Sequence, residues 1–145
     1  FTPGHYVYDP AQSEQWNRGA YLATALGHCN ECHTPRGLLG GLNNNRYLAG
    51  NRRGPDGRRV PNITMDSGTG VGYWTPEQLR AFLVSGRRPD GSYTGALMSE
   101  VLATSSMPLT EADRQALVSY LRSLPSIHND IYYRFDPFQD RDFFE

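Results

Sequence analysis

The most informative segment of the sequence is Cys29-Asn30-Glu31-Cys32-His33. It contains both cysteines of a chain of 145 residues, separated by two residues and followed at once by a histidine. This pattern is typical of covalent haem attachment, in which each thiol adds to a haem vinyl group and the histidine binds the iron. We therefore predict Cys29 and Cys32 as thioether attachment points and His33 as the proximal iron ligand.

The same residues allow three other interpretations. A structural zinc site needs four ligands, but the remaining histidines, His5, His28 and His128, are scattered along the chain. A redox-active dithiol of the thioredoxin type needs a βαβ setting, and a disulfide across two residues would stabilise little. Haem attachment is favoured because it gives every member of the motif a role.

Composition and charge exclude several classes of protein. An apolar fraction of 38%, interrupted by 15 Gly and 10 Pro, favours one loop-rich globular domain with a thin core that a haem would supplement. A net charge of -1 argues against nucleic-acid binding. No apolar stretch approaches the roughly 18 residues of a membrane-spanning helix. The start at Phe1, without Met or a basic leader, is what we expect of an exported protein whose signal peptide has been removed.

Charge is segregated along the chain, and all 14 basic residues are arginines. Residues 36–59 contain six Arg and one Asp, whereas residues 130–145 contain five acidic residues and two Arg. Such polarity suits oriented docking of a partner or pairing of the two segments with each other. A solvated loop and a solvated tail are the alternative.

Local signals predict an all-α fold of three to five short helices with long loops around one haem. Ser13 is a candidate N-cap for a first helix that ends at Gly27. Thr75 and Gln78 form a capping box for another helix, which Gly86 ends. Further helical segments are expected at residues 96–103 and from the Thr110 cap to Pro125.

The intervening residues 34–72 are dense in Gly, Asn, Pro and Arg and are expected to form a functional loop region. We divide the chain into an N-terminal arm (1–12), a haem domain (13–125) and an aromatic and acidic extension (126–145). The extension is expected to be either an arm packed on the domain or a docking segment. Its aromatic residues are Tyr132, Tyr133, Phe135, Phe138, Phe143 and Phe144.

The sixth iron ligand is expected to be a methionine, since a thioether stabilises reduced iron. Met107 is followed by Pro108 and stands close before the last helix, which restricts its reach. Met98 lies in a segment better able to cross the distal haem face. We therefore favour Met98, with Met107, and then Met65 or a histidine, as the alternatives.

The order of these features resembles the class I cytochrome c fold. The similarity is closest to the cytochrome c domains in the haem subunits of membrane-bound bacterial alcohol, aldehyde and gluconate dehydrogenases, and it covers roughly residues 14 to 125. Those subunits carry several haem domains, whereas this chain has one motif, and we expect no counterpart there for residues 126–145. The segments that carry the resemblance are Arg18-Gly19-Ala20-Tyr21-Leu22, Gly27-His28-Cys29, Cys32-His33-Thr34-Pro35-Arg36-Gly37, Pro61-Asn62-Ile63-Thr64, Gly72-Tyr73-Trp74, Gly91, Met98-Ser99-Glu100-Val101 and Leu109-Thr110 through Tyr120-Leu121.

The resemblance implies roles for particular residues. It implies thioethers at Cys29 and Cys32, His33 as proximal ligand and Met98 as distal ligand. It also implies that residues 62–64 pass along the haem edge and that two polar side chains lie near it, where a propionate would accept their hydrogen bonds. Those haem-edge residues are Asn62, Ile63, Thr64, Arg36 and Trp74. Gly19 additionally suits a close helix crossing against Tyr120.

The expected function is that of a monohaem c-type cytochrome, an electron-transfer protein rather than an enzyme. It would carry single electrons between a periplasmic donor, such as a dehydrogenase, and a downstream acceptor, such as an oxidase. Two alternatives remain open: a haem-bearing subunit fixed in a larger oxidoreductase complex, and a haem enzyme or sensor with a weak sixth ligand. No nucleic acid and no membrane span are expected.

Overall fold

The computed structural model describes residues 6–133, which divide into two compact units. Residues 6–28 and 73–124 form the helical unit, and residues 29–72 and 125–133 form the loop unit. The predicted all-α class is confirmed, since the described residues contain five α-helices and, apart from isolated bridge pairs, no strand. The helices are α1 (Glu14–Tyr21), α2 (Cys29–His33), α3 (Pro76–Ser85), α4 (Ala96–Val101) and α5 (Glu111–Ser123).

Helix α1 begins where the sequence predicts. The Ser13 hydroxyl accepts a hydrogen bond from the Trp16 backbone N–H at 3.0 Å, which satisfies one of the free donors of the first turn. A π-helical turn, Leu22–Leu26, continues the helix. Gly27 then ends it by donating its N–H to the Leu22 carbonyl at 2.7 Å.

Helix α3 confirms its predicted caps in detail. The Thr75 hydroxyl accepts from the Gln78 N–H at 3.1 Å, and the Gln78 side chain accepts from the Thr75 N–H at 2.9 Å. Gly86 ends the helix in the left-handed conformation with φ 71°, which a glycine adopts at little cost.

The predicted helical segment at residues 96–103 is longer in the structure. Helix α4 continues through a second π-helical turn, Leu102–Ser106, and the buried Ser106 hydroxyl donates to the Leu83 carbonyl at 2.7 Å. Thr110 then caps α5, accepting from the Asp113 N–H at 3.2 Å. The predicted end of α5 before Pro125 is also correct.

The core of the helical unit forms where α1 crosses α5. A Cβ atom placed on Gly19 would lie 2.6 Å from the Tyr120 Cβ and against the Ala116 carbonyl oxygen, so only glycine allows this approach. This bears out the predicted crossing. Around it lies a set of buried apolar side chains from α1, α3, α5 and the two π-helical turns. They are Ala20, Leu22, Ala23, Leu79, Leu83, Leu102, Ala116, Leu117, Val118, Tyr120 and Leu121.

The loop unit is mostly irregular, as predicted for residues 34–72. Its regular pieces are α2 and two short 3-10 turns, Asn44–Arg46 and Pro55–Gly57. Paired hydrogen bonds of 2.9 and 2.7 Å between Asn51 and Val60 close a hairpin-like loop. Residues 125–133 belong to this unit, whereas residues 1–5 and 134–145, with Phe135, Phe138, Phe143 and Phe144, lie outside the described residues.

Candidate haem-attachment site

The two cysteines lie on one turn of α2. Both are half-buried and neither is in a disulfide. Burial raises the pKa of the Cys29 thiol to about 11 and also raises the pKa of Cys32, so both stay protonated at neutral pH before any attachment. A redox-active dithiol needs the opposite, a lowered pKa that yields thiolate. The environment therefore disfavours the thioredoxin-type alternative.

His33 ends α2 and is buried, with 6% of its surface exposed. Its Nδ1 lies 2.7 Å from the Pro61 carbonyl oxygen. Because a carbonyl oxygen only accepts, Nδ1 must carry the proton and donate it, which leaves the Nε2 lone pair free. Burial lowers the pKa of His33, so the imidazole is neutral, as a metal ligand must be.

These features fit covalent haem c. Two free thiols with two residues between them supply the attachment points, and a neutral imidazole with a fixed tautomer supplies an iron ligand. The hydrogen bond to Pro61 is the kind of outer partner that orients a ligating histidine. Within residues 6–133, no group of three or more His, Cys, Asp or Glu side chains gathers as the ligands of a metal ion would.

Asn62 organises the loop that carries the Pro61 carbonyl. It is 2% exposed, and its side-chain oxygen accepts from the N–H and the hydroxyl of Thr64 at 2.9 and 2.8 Å. Its amide nitrogen donates to the Ile127 carbonyl at 2.7 Å and to the Thr69 hydroxyl at 3.0 Å. Asn62 and Thr64 are thus brought together with His33 in one unit, and both polar atoms of the Asn62 side chain have hydrogen-bond partners.

Ile63 lies between them and is half-buried. Its backbone N–H donates to the Leu48 carbonyl at 3.0 Å. Leu48 is fully buried in the left-handed region, with φ 60°, and its own N–H donates to the Thr34 hydroxyl at 3.0 Å. These bonds hold a backbone conformation that is costly for leucine, directly beside the loop of residues 61–64.

The other two predicted haem-edge residues have their own partners. Arg36 is exposed and forms an ion pair with Glu31 at 2.7 Å, and it also donates to the Gly40 carbonyl at 2.8 Å. Trp74 belongs to the helical unit, where its half-buried ring packs edge-on against Phe82 with centroids 5.3 Å apart. Their contact with a haem remains a prediction.

The three methionines differ in setting. Met98 lies on α4 and is half-buried. Met107 is 36% exposed, and its carbonyl oxygen accepts from Arg114 at 3.1 Å. Met65, half-buried, lies in the loop unit. The choice of Met98 as the distal ligand remains a prediction.

The sequence reasoning missed several residues that hold His33. Its backbone oxygen accepts from the Gly50 N–H at 2.7 Å, and Gly50 has φ 89°. A Cβ on Gly50 would lie 2.7 Å from the Asn62 N atom. Pro61 belongs to a segment that carries the resemblance, but nothing in the sequence gives its carbonyl a role, and nothing points to Gly50, because both act through the backbone.

Three known proteins are similar to most of the chain. The first is the fructose dehydrogenase cytochrome subunit of Gluconobacter japonicus, 41% identical over 121 residues, which cover 83% of this chain and 24% of that subunit. The cytochrome c subunit of the quinone-type alcohol dehydrogenase of Gluconobacter oxydans is 38% identical over 134 residues, covering 87% of this chain and 27% of the subunit. The gluconate 2-dehydrogenase cytochrome c subunit of Pantoea cypripedii is 35% identical over 132 residues, which cover 86% of this chain and 30% of that subunit.

The chain therefore spans between about a quarter and a third of the length of these relatives. No model of a known protein family matches it. The expectation that residues 126–145 have no counterpart is wrong, because the match to the cytochrome c subunit of the quinone-type alcohol dehydrogenase of Gluconacetobacter polyoxogenes, 33% identical, covers 94% of this chain and so extends into those residues.

Proposed function

Because this chain is a cytochrome c domain homologous to dehydrogenase cytochrome subunits, we propose that it carries single electrons on one covalently bound haem c. The donor is a dehydrogenase and the acceptor is a downstream redox protein or oxidase, in the periplasm. The chain is an electron carrier and not the part that oxidises a substrate. No helix in residues 6–133 combines the length and the apolar character that a membrane crossing requires.

The observation that carries the proposal is the state of His33. A buried, neutral imidazole whose Nδ1 donates to the Pro61 carbonyl at 2.7 Å offers only Nε2 to a metal, one residue after a free thiol. Bound haem c supplies an iron that alternates between the ferrous and ferric states.

The protein's residues then have separate tasks. Cys29 and Cys32 would hold the haem through thioethers, and His33 would supply a nitrogen ligand to its iron. Met98 would supply a neutral sulfur ligand, which favours the reduced state of the iron. Asn62 and its hydrogen bonds keep the loop at residues 61–64 fixed, so electron transfer requires little rearrangement of the protein.

The test is expression of the chain with haem-attachment machinery, followed by spectroscopy and mass measurement. We expect one haem per chain, retained after denaturation, and its loss in Cys29→Ala/Cys32→Ala. The ferric protein should show a methionine-to-iron charge-transfer band at the red end of the spectrum. Met98→Ala should abolish that band and Met107→Ala, the matched control, should keep it.

Other results would overturn parts of the proposal. A band that persists in Met98→Ala would refute the assignment of the distal ligand. A high-spin ferric haem that reacts with peroxide would refute electron transfer and favour a haem enzyme. A chain that acquires no covalent haem would refute the proposal as a whole.

A fixed place in a larger oxidoreductase is the second candidate, favoured because the relatives are themselves named as subunits. Truncation after Tyr133 tests whether residues 134–145 anchor such an assembly. Loss of a co-purifying dehydrogenase with an unchanged melting temperature would support the fixed subunit. Unchanged co-purification would refute an anchoring role for those residues.

A further inference from the structure

Residues 126–131, here called the strap, follow α5 and lie across the loops that hold His33. The backbone of Ile127 makes the first attachment. Its carbonyl oxygen accepts from the Asn62 amide at 2.7 Å, and its N–H donates to the Thr64 hydroxyl oxygen at 3.2 Å. That hydroxyl, whose proton is donated to the Asn62 side-chain oxygen, also lies 3.2 Å from the Ile127 carbonyl oxygen. Thr64 and Asn62 are 1% and 2% exposed, so these bonds are shielded from water.

Asn129 makes the second attachment and is 5% exposed. Its side-chain amide donates to the Ala49 carbonyl at 2.8 Å, and its side-chain oxygen accepts from Arg46 at 3.2 Å. Its backbone N–H donates to the Thr69 hydroxyl at 2.9 Å. One residue therefore ties together three separate points of the loop unit.

The strap's attachment points adjoin both partners of His33. Asn62 directly follows Pro61, whose carbonyl accepts the Nδ1 proton, and Ala49 directly precedes Gly50, whose N–H donates to the His33 carbonyl. The buried Ile131 closes the arrangement, because a Cβ on Gly50 would lie 2.9 Å from its Cγ2 atom. Movement of the strap would thus disturb His33 at two points, the ring bond to the Pro61 carbonyl and the backbone bond from Gly50.

We propose that the strap positions His33 from two sides, through Ile127, which holds Asn62 next to Pro61, and through Asn129, which holds Ala49 next to Gly50. In this way it sets the strength of the His33 hydrogen bond and the reduction potential of the haem. A strong Nδ1–H···O bond makes Nε2 a better electron donor, which favours ferric iron and lowers the potential. Asn129 is a positioning residue in this scheme. The inference rests on the proposed function, because a potential exists only if the haem is bound.

The test uses the full chain with Asn129→Ala. We expect the reduction potential to shift in the positive direction, measured by spectroelectrochemical titration. We also expect exchange of the His33 ring Nδ1 proton, followed by NMR, to accelerate by about tenfold because the bond opens more often.

Asn17→Ala is the matched control. Asn17 is 3% exposed, and its amide donates to the carbonyls of Asp9 and Ser13 at 2.8 and 3.0 Å, within the helical unit. The Asn17→Ala variant should lower the melting temperature as Asn129→Ala does. It should leave the reduction potential and the exchange of the His33 ring proton unchanged. This separates a positioning role from general destabilisation.

If Asn129→Ala does not fold, Thr69→Val serves as the second variant. It removes the hydroxyl that links Asn129 to Asn62, because that hydroxyl accepts from the Asn129 N–H and from the Asn62 amide, and it keeps the side-chain volume nearly constant. It also removes the bond that the hydroxyl donates to Asp66. It should shift the potential in the same direction by a smaller amount.

Potential and ring-proton exchange that match the wild type in both strap variants would overturn the inference. A wild-type chain without covalent haem would overturn the proposed function instead. The His33 ring-proton exchange in Asn129→Ala would then still decide whether the strap holds the imidazole.

Discussion

Buried side chains in the helical unit are mainly apolar, whereas just over half of those described in the loop unit are polar. The loop unit buries Leu48, Ala49, Val71, Ile131 and Pro35 as its apolar members. Its buried polar members are His33, Thr34, Asn51, Asn62, Thr64 and Asn129. In the helical unit, Asn17 and Ser106 are the buried polar residues.

This difference shows which unit is better suited to fix the orientation of a single side chain. Apolar contacts are non-directional and tolerate small shifts, so they stabilise helices without fixing single atoms. Hydrogen bonds depend on distance and angle, and an unmade buried one is costly. The iron-binding histidine that we propose lies in the region built from directional bonds, where its ring can be held to one orientation.

The largest expected effect comes from Asn62→Ala. The change removes four hydrogen bonds and leaves buried partners unsatisfied, so we expect a loss of about 4 kcal/mol in the free energy of unfolding. Asn51→Ala is the control, since its buried side chain accepts one bond, from the Arg53 N–H at 3.0 Å, and should cost about 1 kcal/mol. Urea denaturation measures both, and equal losses would contradict the role of Asn62 as the organising residue.

Gly19→Ala tests the helical unit by overpacking. Its new Cβ would lie 2.6 Å from the Tyr120 Cβ, and we expect a net loss of about 2 kcal/mol despite the better helix propensity of alanine. Gly37→Ala in the loop unit meets no atom within 4 Å and should stay within about 0.5 kcal/mol of the wild type. Thermal unfolding measures the stability of both variants. A Gly19→Ala variant as stable as the wild type would show that α1 and α5 can move apart to accommodate the methyl group.

Reversing the charge of exposed arginines tests whether the loop unit binds negatively charged partners. Arg53 and Arg58 are both exposed, and Arg58 has a weak ion pair with Asp56 at 3.5 Å. We expect Arg53→Glu/Arg58→Glu to slow electron exchange with hexacyanoferrate by about tenfold at low ionic strength, and less at high salt.

The control makes the same change in net charge on exposed arginines of the helical unit, as Arg87→Glu/Arg122→Glu. Stopped-flow rates at several salt concentrations provide the measurement. Equal slowing by the two double variants would show that net charge, and not a local docking surface, governs the rate.

The smallest expected effect is a pH dependence of stability. Hydrogen bonds from Thr69 and His128 hold the pKa of Asp66 below its usual range, and the ion pair with Arg18 does the same for Asp113. A lowered pKa in the folded state means that the stabilisation is present above the unfolded-state pKa and is lost as the pH falls through the folded-state pKa.

Asp66→Asn and Asp113→Asn should therefore each weaken the protein at neutral pH by less than about 1 kcal/mol and differ little from the wild type in strong acid. Added salt should reduce the effect at the exposed Arg18–Asp113 pair and leave that at Asp66 nearly unchanged. Equal salt sensitivity in urea titrations would contradict the contrast between the two units.

Much of the helical unit was predictable from the sequence. Capping residues such as Ser13 and Thr75 act on N–H groups only a few residues away, so the sequence alone reveals them. The helical form of α2 was not predicted, because five residues without an apolar stripe carry no periodic signal. The prediction of residues 96–103 was too short because the π-helical turn that follows has no signature of its own.

For the candidate site, the sequence alone predicts Cys29, Cys32 and His33 as haem-binding residues, since their spacing is what the chemistry of attachment requires. The partners of His33 were decided by tertiary structure. The contact at Pro61 is made by its backbone carbonyl, and Asn129 contacts Ala49 across 80 residues of chain. No local pattern in the sequence therefore indicates either contact. The sequence by its spacing thus predicts which groups bind a haem, whereas the way in which His33 is held depends on the fold, because its hydrogen bonds form only once distant segments meet.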